Sequence, residues 1–241
     1  MRADVIWRVG WTVVVLIGVE TVVCGLAAVP AFLFWSWLAD RAAGASAVVR
    51  IALFSAAAVP SYILFTLGLM LWSSIATRLT GARTTPNVEM RIADMDWPLL
   101  AWARYVAAIH LVRVFAGTLF RGSPIWTAYL RLNGARIGRR VYVNTTFVSD
   151  HNLLEFGDDV VIGAEVHLSG HTVEAGVVKT ASVRLGRGVT IGLGSMIDID
   201  VDIGDTAQVG ALSLVPKHSR LDAGVVYVGI PVRPMNETAR P

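Results

Sequence analysis

From Leu185 onward the chain repeats every six residues: Leu185-Gly186, Ile191-Gly192, Ile197-Asp198, Ile203-Gly204, Val209-Gly210 and Val215-Pro216. An amphipathic helix repeats near 3.6 residues and a half-buried strand near 2, so neither sustains an aliphatic residue at every sixth position. A coil of short strands does. Each aliphatic points into a narrow triangular prism, and the Gly, Asp or other turn former behind it supplies the corner. Three hexapeptides then complete one turn of the coil.

The same signature appears earlier, out of phase, at Ile137-Gly138, Val143-Asn144, Phe156-Gly157, Ile162-Gly163 and Leu168-Ser169. The phase breaks at 151–155 and again between Ser169 and Arg184. At both places the spacing predicts that the chain bulges from the prism. Insertions in a solenoid fall on one face and often carry the site. The two breaks hold His151 and His171.

The first half has a different composition. Mean hydropathy is +0.58 and 54% of residues are hydrophobic, which points to a membrane protein. Between Arg8 and Asp40 the only charge is Glu20, and 51–77 carries none. Each stretch exceeds the ~20 residues needed to cross a bilayer core. Pro60 and Gly68 are tolerated in such helices. Two transmembrane helices joined by a short link, Asp40 to Arg50, form an antiparallel hairpin. Arg2 and Arg8 precede the first, and Arg78, Arg83, Arg91, Arg104 and Arg113 follow the second, which places both outer ends in the cytoplasm despite Arg41 and Arg50. The stretch from Leu99 to Phe120 carries Arg104, His110 and Arg113 and reads as a membrane-surface helix. Glu20 is a candidate buried carboxylate. Cys24, the only cysteine, excludes an intramolecular disulfide.

Up to Arg136 the chain has twelve basic residues, all arginine, against six acidic; beyond it there are nine against twelve. The basic balance therefore belongs to the membrane half. No basic run interleaved with aromatics is present, which argues against nucleic-acid binding. The expected organisation is helices over 1–121, a repeat domain over 122–235 and a tail at 236–241.

Residues 130–138 (LRLNGARIG), 171–179 (HTVEAGVVK), 209–217 (VGALSLVPK) and Gly229-Ile230-Pro231 resemble the hexapeptide-repeat acyltransferases. Within that group they are most similar to the membrane-anchored terminal domains of polylysine-synthetase-like non-ribosomal peptide synthetases. The resemblance implies a mainly β fold, a left-handed parallel β-helix behind the α-helical hairpin, and a homotrimer whose sites lie between prisms. It implies acyl-CoA as a co-substrate with no tightly bound cofactor or metal. The acceptor is a lipid, glycan or amine. The resemblance and the helices together imply a multi-pass protein of a bacterial inner membrane with its prism in the cytoplasm.

Acyl transfer from a thioester needs a base for the attacking hydroxyl or amine and donors for the developing oxyanion. A neutral histidine suits the first task. His171 leads, because the resemblance places its loop across a subunit boundary, and Glu174 is the expected partner of its ring. His151, beside Asp150 and Asn152, is the second candidate; those neighbours also read as ordinary turn residues. By resemblance Gly192, Gly210, Ala211 and Ser213 line a donor groove, with the Gly210 or Ala211 amide at the oxyanion, while Lys217 and Arg233 meet the nucleotide end. The sequence has no GxxxxGK[ST] loop, no serine elbow and no cysteine nucleophile, which favours direct transfer. Two alternatives remain at this point: a metal enzyme resembling the γ-class carbonic anhydrases, built on His151, His167 and His171, and a non-catalytic trimeric membrane scaffold.

Overall fold

A computed structural model describes residues 3–235. Arg2 and the tail at 236–241 lie outside the described residues. Helix α1 spans Ala3–Ala42 and α2 spans Ala47–Leu79, packed side by side. Ser46 caps α2, its side chain accepting from the Val49 amide at 3.5 Å. Gly68 of α2 allows a close approach, since a Cβ there would stand 3.0 Å from the Ala27 backbone. The helices run further than expected: Arg8 lies inside α1 rather than before it, and Arg50 lies inside α2, so the link is only 43–46.

A short strand, β1 (Glu89–Arg91), precedes a third helix, α3 (Trp97–Phe120), capped by Asp96 through the Leu99 amide at 3.1 Å. Residues 113–117 form a π-helical turn. Such a turn frees a carbonyl, and the Tyr62 hydroxyl of α2 donates to that of Phe115. By length and composition, α1, α2 and α3 are all long and apolar enough to cross a membrane.

The short helix α4 (Pro124–Leu132) closes the open end of the prism. Trp126, Tyr129 and Leu130 are buried in one cluster with the prism aliphatics, and the Trp126 indole donates to the Thr145 carbonyl at 3.0 Å.

The prism is a parallel β-helix with three sheet faces. Face one stacks β2 (Arg136–Ile137), β4 (Leu154–Phe156), β9 (Val183–Leu185), β12 (Val201–Ile203) and β15 (Arg220–Leu221). Face two stacks β3 (Tyr142–Val143), β5 (Val161–Ile162), β10 (Thr190–Ile191), β13 (Gln208–Val209) and β16 (Val226–Val228), closed by an antiparallel β17 (Arg233–Pro234). Face three stacks β6 (His167–Leu168), β11 (Met196–Ile197) and β14 (Leu214–Val215), with Val148 bridging to Leu168 above.

The register reports the repeat directly. Leu185 pairs with Ile203 and Ile203 with Leu221, one coil of three hexapeptides each time. Ile162, Leu168, Ile191, Ile197, Ile203, Val209 and Val215 are all essentially inaccessible to solvent. Each such burial is worth about 1.5–3 kcal/mol relative to exposure.

The two phase breaks meet at one corner, between face three and face one. The first is accommodated by a left-handed residue, Asp150 (φ 51°), followed by a 3-10 turn at His151–Leu153. The second, one coil on, extrudes a hairpin of β7 (His171–Glu174) and β8 (Val177–Thr180). Its two-residue turn, Ala175-Gly176, has φ of 47° and 77°, the conformation that two-residue hairpin loops favour.

Candidate active site

The hairpin does not project freely. β1 pairs antiparallel with β8, Glu89 opposite Lys179 and Arg91 opposite Val177, so the segment between α2 and α3 folds over it. Met90, Leu99 and Val178 form a small core beneath. This arrangement brings three separate stretches of chain to the corner that bears His171.

His171 Nδ1 lies 2.5 Å from Asp150 Oδ2. Asp150 is fully buried and is surrounded by donors: Thr84 Oγ1 at 2.6 Å and Trp102 Nε1 at 3.2 Å on Oδ1, and Ser149 Oγ at 3.0 Å and Ser169 Oγ at 3.3 Å on Oδ2. Burial pushes its carboxyl up, but the hydrogen bonds from His171, Thr84 and Ser149 and the attraction of His171 outweigh that and hold it below the usual aspartate value. An ionised carboxylate is an acceptor only, so His171 donates from Nδ1, and in the neutral ring the lone pair is then on Nε2. The ring keeps 23% of its side-chain surface and is walled by Trp102, edge to face at 5.0 Å. A partly exposed imidazole with a fixed tautomer and a buried anionic partner is equipped to take a proton from a bound hydroxyl or amine.

Glu174 is not the partner of His171. It binds Lys217 through Oε1 and approaches Lys179 at 3.5 Å through Oε2, and the hydrogen bond from Lys217 holds its carboxyl below the usual value. The reason is geometric: positions i and i+3 of an extended strand point to opposite faces.

His151 is not an accessible base. It is fully buried among Tyr105 and Tyr129, its Nε2 lies 3.2 Å from the Val148 carbonyl, and burial pushes its pKa down to about 4. A ligand shared between subunits must reach the surface, so His151 does not fit the three-histidine metal reading either. His167 stacks on Phe147 at 4.4 Å, and Arg113 of α3 lies 5.7 Å over the same ring. No cluster of three His, Cys, Asp or Glu side chains suited to a metal occurs among the described residues.

The residues expected along a donor groove divide. Gly192 and Gly210 stack at the corner leading from face two to face three, where a Cβ on Gly192 would stand 2.4 Å from the Ala211 nitrogen. Ala211 is exposed beside them. The Gly210 amide already donates to the Tyr227 carbonyl at 2.8 Å and so is not free for an oxyanion. Ser213 is buried: its amide donates to Ser195 Oγ at 3.2 Å, and its hydroxyl accepts from the Gly229 amide at 3.1 Å. It ties coils together rather than lining a groove. Face three runs from this glycine corner to the hairpin, with Lys217 just past its last strand and clasped by Glu174. Arg233 is exposed on β17.

Sequence reasoning missed Thr84 and Trp102 entirely and read Asp150 as a turn residue. Asp150 is both, and its place in a phase break beside a histidine was the available signal. Thr84 and Trp102 carried none, lying 66 and 48 residues away.

No protein-family model matches the chain. It is 28% identical over 114 residues to delta-poly-L-ornithine synthetase of Acinetobacter baumannii (strain AB307-0294), covering 47% of this chain and 9% of that one. It is 33% identical over 123 residues to galactoside O-acetyltransferase of Escherichia coli (strain K12), covering 47% of this chain and 58% of that one. Among solved structures, a hexapeptide-repeat-containing acetyltransferase of Vibrio cholerae O1 biovar eltor, complexed with acetyl coenzyme A, superposes with a TM-score of 0.39 at 22% identity, covering 42% of this chain and 59% of that one. The chain thus spans less than two thirds of the length of each of these proteins. Hexapeptide-repeat acetyltransferases stand among both its relatives and its structural neighbours.

Proposed function

We propose that this chain, similar to the hexapeptide-repeat acyltransferases, is a membrane-bound enzyme that moves an acyl group from acyl-CoA to a hydroxyl or amine acceptor. The observation that carries the reading is the pairing of His171 with the buried Asp150. In this mechanism His171 Nε2 accepts the acceptor's proton as its oxygen or nitrogen attacks the thioester carbonyl. The C–S bond breaks, and the departing CoA thiolate takes the proton back from the imidazolium. Asp150 stays ionised throughout; it fixes the ring and stabilises its charged form. The donor lies along face three, between the glycine corner and the hairpin, with its phosphates toward Lys217 and Arg233.

The membrane reading rests on α1 and α2, whose best windows have mean hydropathies of 2.3 and 1.8. Trp7, Trp11 and Trp97 gather at one end and Trp35 and Trp37 at the other, as interfacial aromatics do. α3, with Arg104 and Arg113 and with Trp102 bound to Asp150, fits the surface of the membrane better than its interior. The prism then faces the cytoplasm, where CoA esters are found. The outward apolar side chains Leu193, Met196 and Leu212, each at least half exposed, suit a trimer contact.

The decisive assay is thioester consumption by detergent-purified protein, with a panel of CoA esters and membrane extract as acceptor. Wild type is expected to turn over, and His171→Ala to lose at least a hundredfold while still binding donor. Equal turnover in the variant, or none with any donor in the wild type, overturns the reading.

A further inference from the structure

The dyad is assembled from two parts of the chain. His171, Asp150, Ser149 and Ser169 belong to the prism, whereas Thr84 belongs to the link after α2 and Trp102 to α3. We propose that Thr84 and Trp102 are positioning residues of the active site, so that the helical half of the chain completes the base instead of merely anchoring it. This rests on the acyl-transfer reading for its activity measurement, but not for its structural one.

Asp150 Oδ2 already receives His171, Ser149 and Ser169, all from the prism. Among the described residues its other oxygen receives only Thr84 and Trp102. A buried carboxylate needs donors on both oxygens to stay ionised and to hold one rotamer. Without the two outer donors, Oδ1 is left bare in the interior and the side chain gains reason to rotate or to take up a proton. Either change removes the acceptor that keeps the proton on Nδ1, and the base loses its defined tautomer. Trp102 does a second thing at the same time: its ring edge packs on the imidazole at 5.0 Å and limits the ring's rotation.

The two residues are held by independent supports, which makes them a built feature and not a chance contact. Thr84 is fully buried, its amide donates to Asn152 Oδ1 at 3.3 Å and its carbonyl accepts from Asn152 Nδ2 at 2.7 Å. That reciprocal clasp joins the link to the 3-10 turn just after Asp150. Trp102 is fixed by the helix cap at Asp96 and by the Met90, Leu99 and Val178 core under β1. α3 also packs on α1 and α2, so displacement of the helices is transmitted to the carboxylate.

The test uses the full chain in detergent with Thr84→Val, Thr84→Ser and Trp102→Phe. Two quantities are read: thioester turnover, and the nitrogen-15 shifts of His171 at pH 8, assigned by difference against His171→Gln. In the wild type the shifts are expected to report a proton on Nδ1. Thr84→Val and Trp102→Phe are expected to lower kcat about ten- to a hundredfold, the range for losing a hydrogen bond to a charged group. KM for the donor changes less than twofold, the His171 shifts move toward a mixture of tautomers, and Thr84→Ser restores both readouts. The proposal is overturned if the shifts stay as in the wild type, or if kcat is unchanged. Should the wild type consume no thioester at all, the acyl-transfer reading fails, and the shifts alone still decide whether Thr84 and Trp102 set the tautomer.

Discussion

Asp150 and His171 occupy the same corner of successive coils, and their side chains meet at 2.5 Å across the first opening in the repeat. Among the described residues Asp150 is the one buried acid; Asp159, Glu165 and Asp200 share its left-handed backbone but are not buried, so what sets Asp150 apart is the cover of donors from Thr84, Trp102, Ser149 and His171. A regular hexapeptide would have placed an aliphatic at the equivalent depth.

Replacement of Asp150 by Asn preserves shape and removes charge. The amide nitrogen cannot accept from Nδ1, and the ring is then free to take the wrong tautomer. The expected loss in kcat is on the order of a thousandfold or more, with donor affinity unchanged. The check is steady-state thioester consumption alongside equilibrium binding of a CoA ester; a loss confined to binding would contradict the role given to Asp150.

The ion pair of Glu174 with Lys217 predicts a different phenotype from the dyad. Both side chains are more than a third exposed, so Glu174→Gln is expected to leave the melting temperature within a degree or two of wild type. Lys217→Met is expected to raise KM for acyl-CoA severalfold and to raise it less for a donor truncated at the phosphates, with kcat little changed. An equal rise for both donors would place Lys217 away from the nucleotide.

Much of the β-helix could be read from the sequence because its signal is local and periodic. The aliphatics at 185, 191, 197, 203, 209 and 215 each specify one strand, and the two phase breaks mark the corner where the chain departs. β1 was invisible for the opposite reason: Glu89–Arg91 is three residues with no period, and it is a strand only because β8 offers an edge. The site was half legible. His171 lies where the broken phase pointed, but the spacing of three to Glu174 suggested a partner that the strand's alternation sends to the other face. The true partner required knowing that 150 and 171 are one coil apart. His151 misled because a histidine in a loop looks available, whereas the 3-10 turn directs it inward between two tyrosines.

Gly192 separates a packing role from a binding role. A methyl group at this corner would meet the next coil's backbone at 2.4 Å, well inside contact distance, so Gly192→Ala is expected to cost about 1–3 kcal/mol by overpacking. Gly25, inside α1 with nothing within 4 Å, is the control, and Gly25→Ala should melt no lower than the wild type, since Ala favours the helix. Comparable melting of the two variants would mean that the coils are less closely stacked at this corner.

The pH dependence of stability follows from His151 and Asp150 acting in successive windows. An unfolded histidine takes a proton near 6.5, while burial lowers His151 to about 4 in the fold. Between those values the unfolded chain binds more protons, so stability falls as pH falls from about 6.5 to about 4, by about 3 kcal/mol across the window. Asp150 acts lower: its carboxyl is held below the ordinary aspartate value, so its contribution is present above about 3.9 and is lost as pH falls through its folded value. Of these two groups, His151 is the one that contributes a slope between pH 7.5 and 4.5. Melting temperatures of the detergent-purified protein over that range are expected to decline for the wild type and to decline much less for His151→Leu, which has nothing to protonate there. The leucine also relieves Nδ1, which has no hydrogen-bond partner among the described residues, so the variant need not start from a lower melting temperature at pH 7.5. Parallel declines in the two proteins would locate the acid sensitivity elsewhere and would show that His151 already carries its proton, or meets water, in the folded state.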